Sequence, residues 1–356
     1  MRKPGRAHVF AALVVVCVAG AAIYLLVASR APDLAPAATP IGTGHVEPSA
    51  RRVALNGMSA PARELLTAAG VGSRRVAFRD LDRGDTANWG RIAIAPLTAR
   101  EPRRLVGSAR CERLYVRAGR GLCLAKGGGF GTLYTAEVLD ARFHVVHRIP
   151  LAGIPSRARI SSNGRYGATT TFVAGHSYNT PGKFSTQTLL LDLVHGKAIT
   201  NLERFHVTLD GKVVDKPDVN FWGVTFARDG RHFYATMATG HKTYLVVADI
   251  ETRTGQVLRD NVECPSLSPD GTRIAYKKLV HLAPGTPAIW HLHVLDLRTM
   301  KDVALAEPDP IDDQAEWLGN KLVVYGTGEE IRAVRADGSG HSVALVTAAD
   351  SPADLD

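Results

Sequence analysis

Residues 265–276 read PSLSPDGTRIAY, and this stretch decides the fold. Its Asp270-Gly271 dipeptide lies between two short runs that favour β-strands. Glycine adopts the positive φ that a tight hairpin turn requires, so the stretch predicts two antiparallel strands joined at this turn. Weaker copies of the pattern occur at Asn163-Gly164, at Asp229-Gly230 and around Gly319-Asn320. The chain therefore repeats one kind of hairpin.

A second repeated feature follows each hairpin. It is an apolar run that leads into an acidic turn, and its aspartates are Asp192, Asp249, Asp296 and Asp337. Self-similarity at about 40–50 residues with four strands per unit is typical of propeller blades. Residues 74–346 divide into six units of about 45 residues. The sequence therefore predicts an all-β propeller of about six four-stranded antiparallel blades, with five or seven blades left open.

The front of the predicted propeller is less regular. Residues 75–106 and 113–146 supply the β-type runs of two further blades. The interval between the Asn163 and Asp229 turns is long and contains Phe205–Asp218, an excursion with its own turn. We expect this inserted hairpin to stand on one face of the propeller, where such folds usually bind ligands.

The N-terminal end carries a hydrophobic segment. Three basic residues among the first six precede Val9–Ala28, which contains no charge. A helix of this length spans a bilayer core, and a basic flank stays cytoplasmic. Residues 1–30 are therefore predicted to be a single-pass signal-anchor in the cell membrane, with the C-terminal body extracytoplasmic. Small residues near Ala28 leave cleavage and secretion as an alternative.

The segments around the propeller have their own character. Residues 31–58 are rich in proline and alanine and predict an extended linker. Residues 59–70, from Ser59 to Gly70, have the capping signals of one short helix. The propeller is assigned to residues 74–346 and a flexible tail to residues 347–356.

Charge is unevenly distributed along the chain. Residues 1–120 carry 19 Lys and Arg against 8 Asp and Glu, whereas the rest carries 24 against 26. The arginines are spread singly, without the aromatic residues that stack nucleic-acid bases, so no nucleic-acid partner is expected. Two interpretations fit the basic end: a face that lies against anionic lipid or wall polymer, and ordinary solvated surface arginines.

Three cysteines lie outside the hydrophobic segment. In an oxidising compartment Cys111 and Cys123 could pair, which would leave Cys264 as a buried free thiol. Against pairing, a hairpin that turns at residues 119–121 would place Cys123 opposite residues 115–117 rather than Cys111. The disulfide stays an open possibility.

The 265–276 stretch resembles the repeat of TolB-type propellers, a WD40-like periplasmic family whose repeat has a Ser-Pro-Asp-Gly core. The resemblance covers about residues 74–346, with weaker copies at 162–165 and 228–231. It implies a propeller outside the cytoplasm and says nothing about the ligand. TolB proteins carry an α/β domain ahead of the propeller, and residues 31–73 are too short to hold one. The partners of TolB are therefore not carried over to this chain.

Two stretches imitate catalytic or phosphate-binding motifs. Gly175–Asn179 begins like the nucleophile elbow of a hydrolase, but it lacks the second glycine, and Pro181 blocks the helix that should follow. Gly127–Gly131 is glycine-rich but lies between two strands, so no helix N-terminus is available to hold a phosphate. Both stretches are interpreted as hairpin loops.

Two clusters could in principle bind a metal. His291 and His293 face the same way on one predicted strand, with His281 upstream, but packing beside Trp290 is the favoured interpretation. The acidic loop before the last blade matches no calcium-binding spacing and is interpreted as solvated; it contains Asp309, Asp312, Asp313 and Glu316. No catalytic residue, cofactor or metal ligand is assigned.

An anchor, a spacer and a propeller without a local reaction motif favour a binding protein. The predicted function is a monomeric, membrane-tethered binding or scaffold module of the cell envelope, with a protein or cell-wall ligand. The alternative is an extracytoplasmic enzyme, such as a glycan lyase or hydrolase, with its site in the propeller channel. Two clustered carboxylates or a histidine group at one channel mouth would favour the enzyme, and an exposed aromatic patch would favour binding.

Overall fold

The computed structural model describes residues 58–97, 104–127, 133–175, 178, 184–283 and 286–356. The predicted signal-anchor and nearly all of the predicted linker lie outside the described residues. Within the described part of the chain, no helix has both the length and the hydrophobicity needed to cross a membrane.

Six sheets, each built on four antiparallel strands, form the blades of a propeller. The strands of blades 1 and 2 are β1 (Arg75–Asp80), β2 (Arg91–Pro96), β3 (Arg104–Arg110), β4 (Arg113–Arg117), β5 (Arg120–Lys126), β6 (Tyr134–Leu139) and β7 (Val145–Leu151). Those of blades 3 and 4 are β8 (Ile154–Ile160), β9 (Tyr166–Ala174), β10 (Ser185–Asp192), β11 (Lys197–Asn201), β12 (His206–Leu209), β13 (Lys212–Val213), β14 (Asn220–Phe226), β15 (His232–Thr239), β16 (Lys242–Asp249) and β17 (Thr254–Asp260). Those of blades 5 and 6, followed by the last strand, are β18 (Glu263–Leu267), β19 (Arg273–His281), β20 (Ile289–Asp296), β21 (Asp302–Ala304), β22 (Glu316–Leu318), β23 (Leu322–Gly326), β24 (Glu330–Arg335), β25 (Val343–Thr347) and β26 (Ala349–Asp354).

The innermost strands form a closed ring around the central axis. They are β26, β4, β8, β14, β18 and β22, and each contacts the next around the ring. The second, third and fourth strands of each blade follow outward by hydrogen bonding. The prediction of an all-β propeller is confirmed, and the blade number is six.

The ring closes through its last strand. β26 pairs antiparallel with β1 and is the innermost strand of blade 1. The prediction that residues 347–356 form a flexible tail is therefore wrong. Pro352 is tolerated because β26 pairs on one side only and the register shifts between Ala77 and Arg79, opposite this proline.

The basic residues near the start of the propeller take part in this closure. Arg74 hydrogen-bonds Asp354, and Nη1 of Arg79 lies 2.9 Å from Oδ2 of Asp350. The side chain of Arg79 is almost fully buried. Some of the basic residues that make the N-terminal part of the sequence positive therefore attract the acidic residues of the last strand.

The predicted turn residues join the first and second strands of blades 3, 4 and 5. The glycines Gly164, Gly230 and Gly271 all have positive φ. In blade 5, Oδ1 of Asp270 accepts hydrogen bonds from the hydroxyl of Ser268 and the backbone N–H of Thr272. We call the face that carries these turns the lower face and the opposite one the upper face.

One short helix precedes the propeller. The helix α1 (Ala60–Ala69) has Ser59 as its N-cap, and Gly70 ends it in the left-handed conformation. Its apolar side chains, including Leu66, pack with residues of blades 6 and 1, such as Leu318 and Phe78. The helix therefore seals the seam between the two blades that the ring closure brings together.

The inserted segment lies elsewhere than predicted. β12 pairs in parallel with β17 and extends blade 4 at its outer edge to six strands. Phe205 and Val207 are buried against the core of this blade. The hairpin does not stand on a face, because the edge of β17 offers backbone partners and the two apolar side chains need cover.

Glu203, just before the inserted segment, places a carboxylate at the seam of blades 3 and 4. Oε1 of Glu203 accepts hydrogen bonds from the backbone N–H of Thr188 at 3.3 Å and of Phe221 at 3.4 Å. Thr188 belongs to blade 3 and Phe221 to blade 4. Burial raises the pKa of Glu203 to about 7, although the backbone hydrogen bonds oppose the shift.

This carboxylate predicts a pH dependence of stability. Because the pKa of Glu203 is raised in the folded state, its stabilising contribution is complete at low pH and is lost as the pH rises through about 7. Between pH 5 and pH 8.5 we expect the wild type to lose about 2–3 kcal/mol relative to Glu203→Gln, which keeps the shape and cannot ionise. Urea unfolding of both proteins at each pH measures the difference. Parallel pH profiles would contradict the prediction.

Candidate functional site

The inner strands run in the same direction, from the upper face to the lower. Arg157 of β8 contacts Cys264 of β18, and two residues further along, Arg159 contacts Ser266. The paired steps show that β8 and β18 are parallel. The starts of the inner strands therefore surround one opening, which we call the upper mouth.

The channel below this mouth is filled by side chains. Nη1 of Arg159 lies 2.6 Å from Oε2 of Glu316, and both side chains are almost fully buried. The same guanidinium bonds the hydroxyl of Ser266 at 3.3 Å and lies 4.5 Å above the ring of Tyr115. One arginine of blade 3 thus joins blades 2, 5 and 6 across the axis. A ligand that enters from above can reach only the upper mouth.

The upper mouth contains two deeply buried cations. Nζ of Lys277 lies 2.5 Å from Oδ1 of Asp312, and Nη2 of Arg157 lies 3.1 Å from the same oxygen. Lys277 has no exposed surface, whereas the side chain of Asp312 is 37% exposed. The two cations therefore lie beneath a carboxylate that faces solvent.

Aromatic rings form the wall behind these cations. The ring centre of Tyr178 lies 5.1 Å from the guanidinium of Arg157 and 5.3 Å from Nζ of Lys277. The ring centre of Trp290 lies 4.4 Å from the same ammonium. Tyr178 itself is buried, and its hydroxyl lies 2.7 Å from that of Ser156. The rings exclude water and strengthen every charge interaction at the mouth.

A second carboxylate, that of Glu263, lies near the ammonium group of Lys277. Oε2 of Glu263 lies 4.0 Å from Nζ of Lys277, and Oε1 accepts a hydrogen bond from Nε1 of Trp290 at 2.8 Å. Burial raises the pKa of Glu263, whereas Lys277 and Arg157 hold the pKa of Asp312 at about 2 against its partial burial. Two carboxyl groups that share one ammonium therefore have opposite pKa shifts.

A further charged group occupies the other side of the mouth. Oδ2 of Asp350 on β26 forms an ion pair with Arg79, and Nη1 of Arg113 lies 3.9 Å from the same oxygen. Asp313 is held by the backbone N–H of Gly326 at 2.8 Å, and its charge adds to the burial that raises the pKa of Asp350. The upper mouth thus carries alternating cations and carboxylates.

The structure distributes the residues of the acidic loop over different roles. Asp312 and Asp313 reach the upper mouth, where the Asp312 side chain is 37% exposed, whereas Glu316 is buried in the channel. The interpretation of a solvated loop is therefore wrong for Glu316. The fold brings this loop over the axis, where strands of other blades supply the cations. Asp309 instead donates its backbone N–H to Glu307.

The histidine pair does not converge on a site. Nδ1 of His293 lies 2.7 Å from Oδ2 of Asp302, and burial lowers the pKa of this histidine. Lys278 and Arg259 contact the same aspartate. In the described ranges, no three His, Cys, Asp or Glu side chains are arranged to hold a metal ion.

Two other stretches discussed from the sequence lie only partly within the described residues. Of Gly175–Asn179, the structure describes Gly175 and Tyr178, and Tyr178 is the aromatic wall of the mouth. Of Gly127–Gly131, it describes only the first residue.

Sequence reasoning missed Arg157, Lys277 and Tyr178 as site residues. The available signal was the arginine pair at 157 and 159 within an inner strand, where apolar residues are expected.

The positions of Cys111 and Cys123 differ from those expected from the register of the hairpin. Cys111 and Cys123 form a disulfide with their Cα atoms 5.2 Å apart, and both are buried. Cys123 pairs across the hairpin with Leu114, while Cys111 lies in the connection before β4 and folds back beside β5. Cys264 is a buried free thiol.

Exposed apolar side chains are concentrated on the upper face. Some lie at the start of an inner strand, and others lie near the end of a second strand or in the loop that follows it. The residues are Trp89, Leu133, Ile154, Val173, Val280 and Leu282. Leu133 is the most exposed of the group, at 75%. The upper face therefore carries apolar side chains from blades 1, 2, 3 and 5 that are available for contact with another molecule.

Comparison with known proteins identifies the fold. No protein-family model matches the sequence, and no curated protein matches it. TolB from Acinetobacter baumannii has a TM-score of 0.54 at 16% identity, over 82% of this chain and 70% of its own. A putative TolB from Agrobacterium tumefaciens has a TM-score of 0.45 at 12% identity, over 78% and 91%. An oligogalacturonate lyase in complex with manganese has a TM-score of 0.41 at 10% identity, over 76% and 89%.

The first of these likenesses carries the conclusion about architecture. The chain folds as a six-bladed propeller of the TolB type, as the Ser-Pro-Asp-Gly repeat predicts. At this level of identity the likeness concerns the fold alone.

Proposed function

We propose that the protein is a membrane-tethered, extracytoplasmic binding or scaffold module of the cell envelope that receives a protein ligand at the upper mouth. One observation carries the proposal: charged side chains of several blades converge on a mouth that has the buried pair Arg159 and Glu316 below it, on a face that also carries exposed apolar residues. Such a combination of charged and apolar groups on one face suits recognition from that side.

The compartment is supported by two features. Residues 9–28 are long and uncharged enough to anchor the chain, with the basic flank inside. The buried disulfide between Cys111 and Cys123 fits an oxidising space, because cytosolic reductants keep most thiols reduced. Cleavage of the segment would give a secreted form of the same module.

Site-specific crosslinking in intact cells tests the proposal. A photo-crosslinking amino acid replaces Leu133 on the upper face of the full chain, and in a matched variant it replaces Val194, which is also exposed and apolar but follows β10 on the lower face. We expect a discrete envelope protein to attach at position 133 and not at 194. Recovery of the same bulk neighbours from both positions would contradict the proposal.

One observation favours a second candidate function, that of an enzyme. Glu263 and Asp312 contact the same ammonium and have opposite pKa shifts, which is the pattern of a general acid and a general base. The candidate is a glycan lyase or hydrolase with its site at the upper mouth. Glu263 is only 4% exposed, which favours the binding function over this one. Cleavage of an oligouronate or a wall glycan by the full chain, abolished in Asp312→Asn, would favour the enzyme.

A further inference from the structure

The cations of the upper mouth are arranged for one carboxylate. Nζ of Lys277 and Nη2 of Arg157 come from blades 5 and 3 and converge on a single oxygen of Asp312. A buried ammonium and a buried guanidinium each need a counter-charge, since desolvation without one costs several kcal/mol. At this position the counter-charge comes from a loop residue, and that residue faces solvent.

The loop that carries Asp312 is held on both sides of it. The backbone N–H of Ile311 bonds the carbonyl of Trp290 at 3.1 Å. The amide of Gln314 donates to the carbonyls of Val224 and Pro265, each at 2.9 Å. The Asp312 side chain can therefore rotate away from the cations while the loop backbone stays in place.

From these contacts we propose that Arg157 and Lys277 form a capture site for a carboxylate of the protein ligand, an acidic side chain or a chain terminus, and that Asp312 occupies this site in the free protein. The inference rests on the proposed binding function and assigns the chemistry of its central contact. Binding exchanges one carboxylate for another, so the two cations are never left unpaired. The rings of Tyr178 and Trp290 keep the contact dry.

The surroundings select a single negative charge. Glu263 lies 4.0 Å from Lys277 on the side away from solvent, and Asp313 and Asp350 occupy the same mouth. These groups repel a doubly charged phosphate more strongly than a carboxylate. Asp312 therefore competes with the ligand. Its carboxylate binds the same two donors, and because it is part of the same chain its effective concentration at this site is high.

The test measures peptide binding by the full chain in detergent. The probes are a blocked peptide with one glutamate, its glutamine counterpart and an oligouronate. Asp312→Asn removes the internal competitor, so we expect it to bind the glutamate peptide about tenfold more tightly than the wild type, the value of one charge-assisted hydrogen-bonded contact. The glutamine peptide should show no gain. Asp313→Asn is the matched control: it removes one negative charge from the same mouth, but the Asp313 carboxylate bonds Gly326 instead of the two cations, so only a smaller gain is expected.

A further variant and several outcomes separate the possibilities. Lys277→Gln in the Asp312→Asn background should abolish the gain, and the thermal midpoint of each variant shows whether it is folded. Equal binding of the glutamate peptide by wild type and Asp312→Asn would overturn the capture site, as would an equal gain in Asp313→Asn. A gain for the oligouronate alone would overturn the protein source of the carboxylate. Crosslinking at position 133 reports on the binding face separately, so the capture site can fail while the proposed function stands.

Discussion

A chain that ends at Ala348 is expected to lose its cooperative fold. The deletion removes β26, the innermost strand of blade 1, and exposes the inner edge of β1. Ala349 and Ala353 are fully buried in the complete chain. Arg79 would lose Asp350, its carboxylate partner at 2.9 Å, and removing one partner of a buried ion pair costs about 3–5 kcal/mol. Added to the lost strand pairing, this approaches the whole stability of a typical domain, about 5–15 kcal/mol.

The measurement is thermal or urea unfolding of the deletion beside the full chain, followed by near-ultraviolet circular dichroism. Asp356→Asn is the matched control. It affects exposed contacts of Asp356 with Arg75, an ion pair and a hydrogen bond from the backbone N–H, so we expect a change of about 0–1 kcal/mol. A deletion variant that still unfolds cooperatively near the midpoint of the full chain would show that β26 does not close the ring.

The central blades could be predicted because their turns have a chemical signature. Gly271 adopts a positive φ, and Asp270 accepts hydrogen bonds from both sides of its turn, so a local sequence pattern reports a local structure. The acidic turns follow the same rule: Oδ1 of Asp249 accepts backbone hydrogen bonds from Glu251 and Thr252. Repetition of these local devices determines blade length and therefore the number of blades.

The closing strand could not be predicted in this way. Residues 349–354 read ADSPAD and contain a proline and two aspartates, which are poor strand formers. They form a strand because β1 lacks an inner neighbour and because Arg74 and Arg79 attract the acidic residues. These are long-range interactions between sequence positions about 270–280 residues apart. A pattern read within one window does not contain them.

The upper mouth was unpredictable for a related reason. Its groups come from separate blades, so the partners Arg157 and Asp312 are 155 residues apart in the chain. Each taken alone is an ordinary charged residue, and only the ring of parallel inner strands brings them together. The acidic loop was visible in the sequence, but the buried cations that determine its role were not. The proximity of Cys111 and Cys123 could not be predicted from the hairpin register, because Cys111 lies outside the hairpin, before β4.

Arg159→Met is the second substitution with a large expected effect. Glu316 is buried and loses its closest charged partner, at 2.6 Å, whereas Arg117 at 3.8 Å remains. Methionine fills a similar volume, so the loss comes mainly from the stranded carboxylate and from the contacts of Arg159 with Ser266 and Tyr115. We expect a loss of about 3–5 kcal/mol in urea unfolding.

The double variant Arg159→Met/Glu316→Gln separates charge from packing. Removing the stranded charge should recover part of the loss, and the double-mutant cycle gives the coupling between the two side chains. Arg148→Met is the matched control, because Arg148 pairs with Glu137 at 3.0 Å but is 66% exposed, so about 0–1 kcal/mol is expected. If Arg159→Met cost no more than Arg148→Met, the ion pair on the axis would not hold the blades together. The channel below the upper mouth could then open, and the ligand would not be limited to one face.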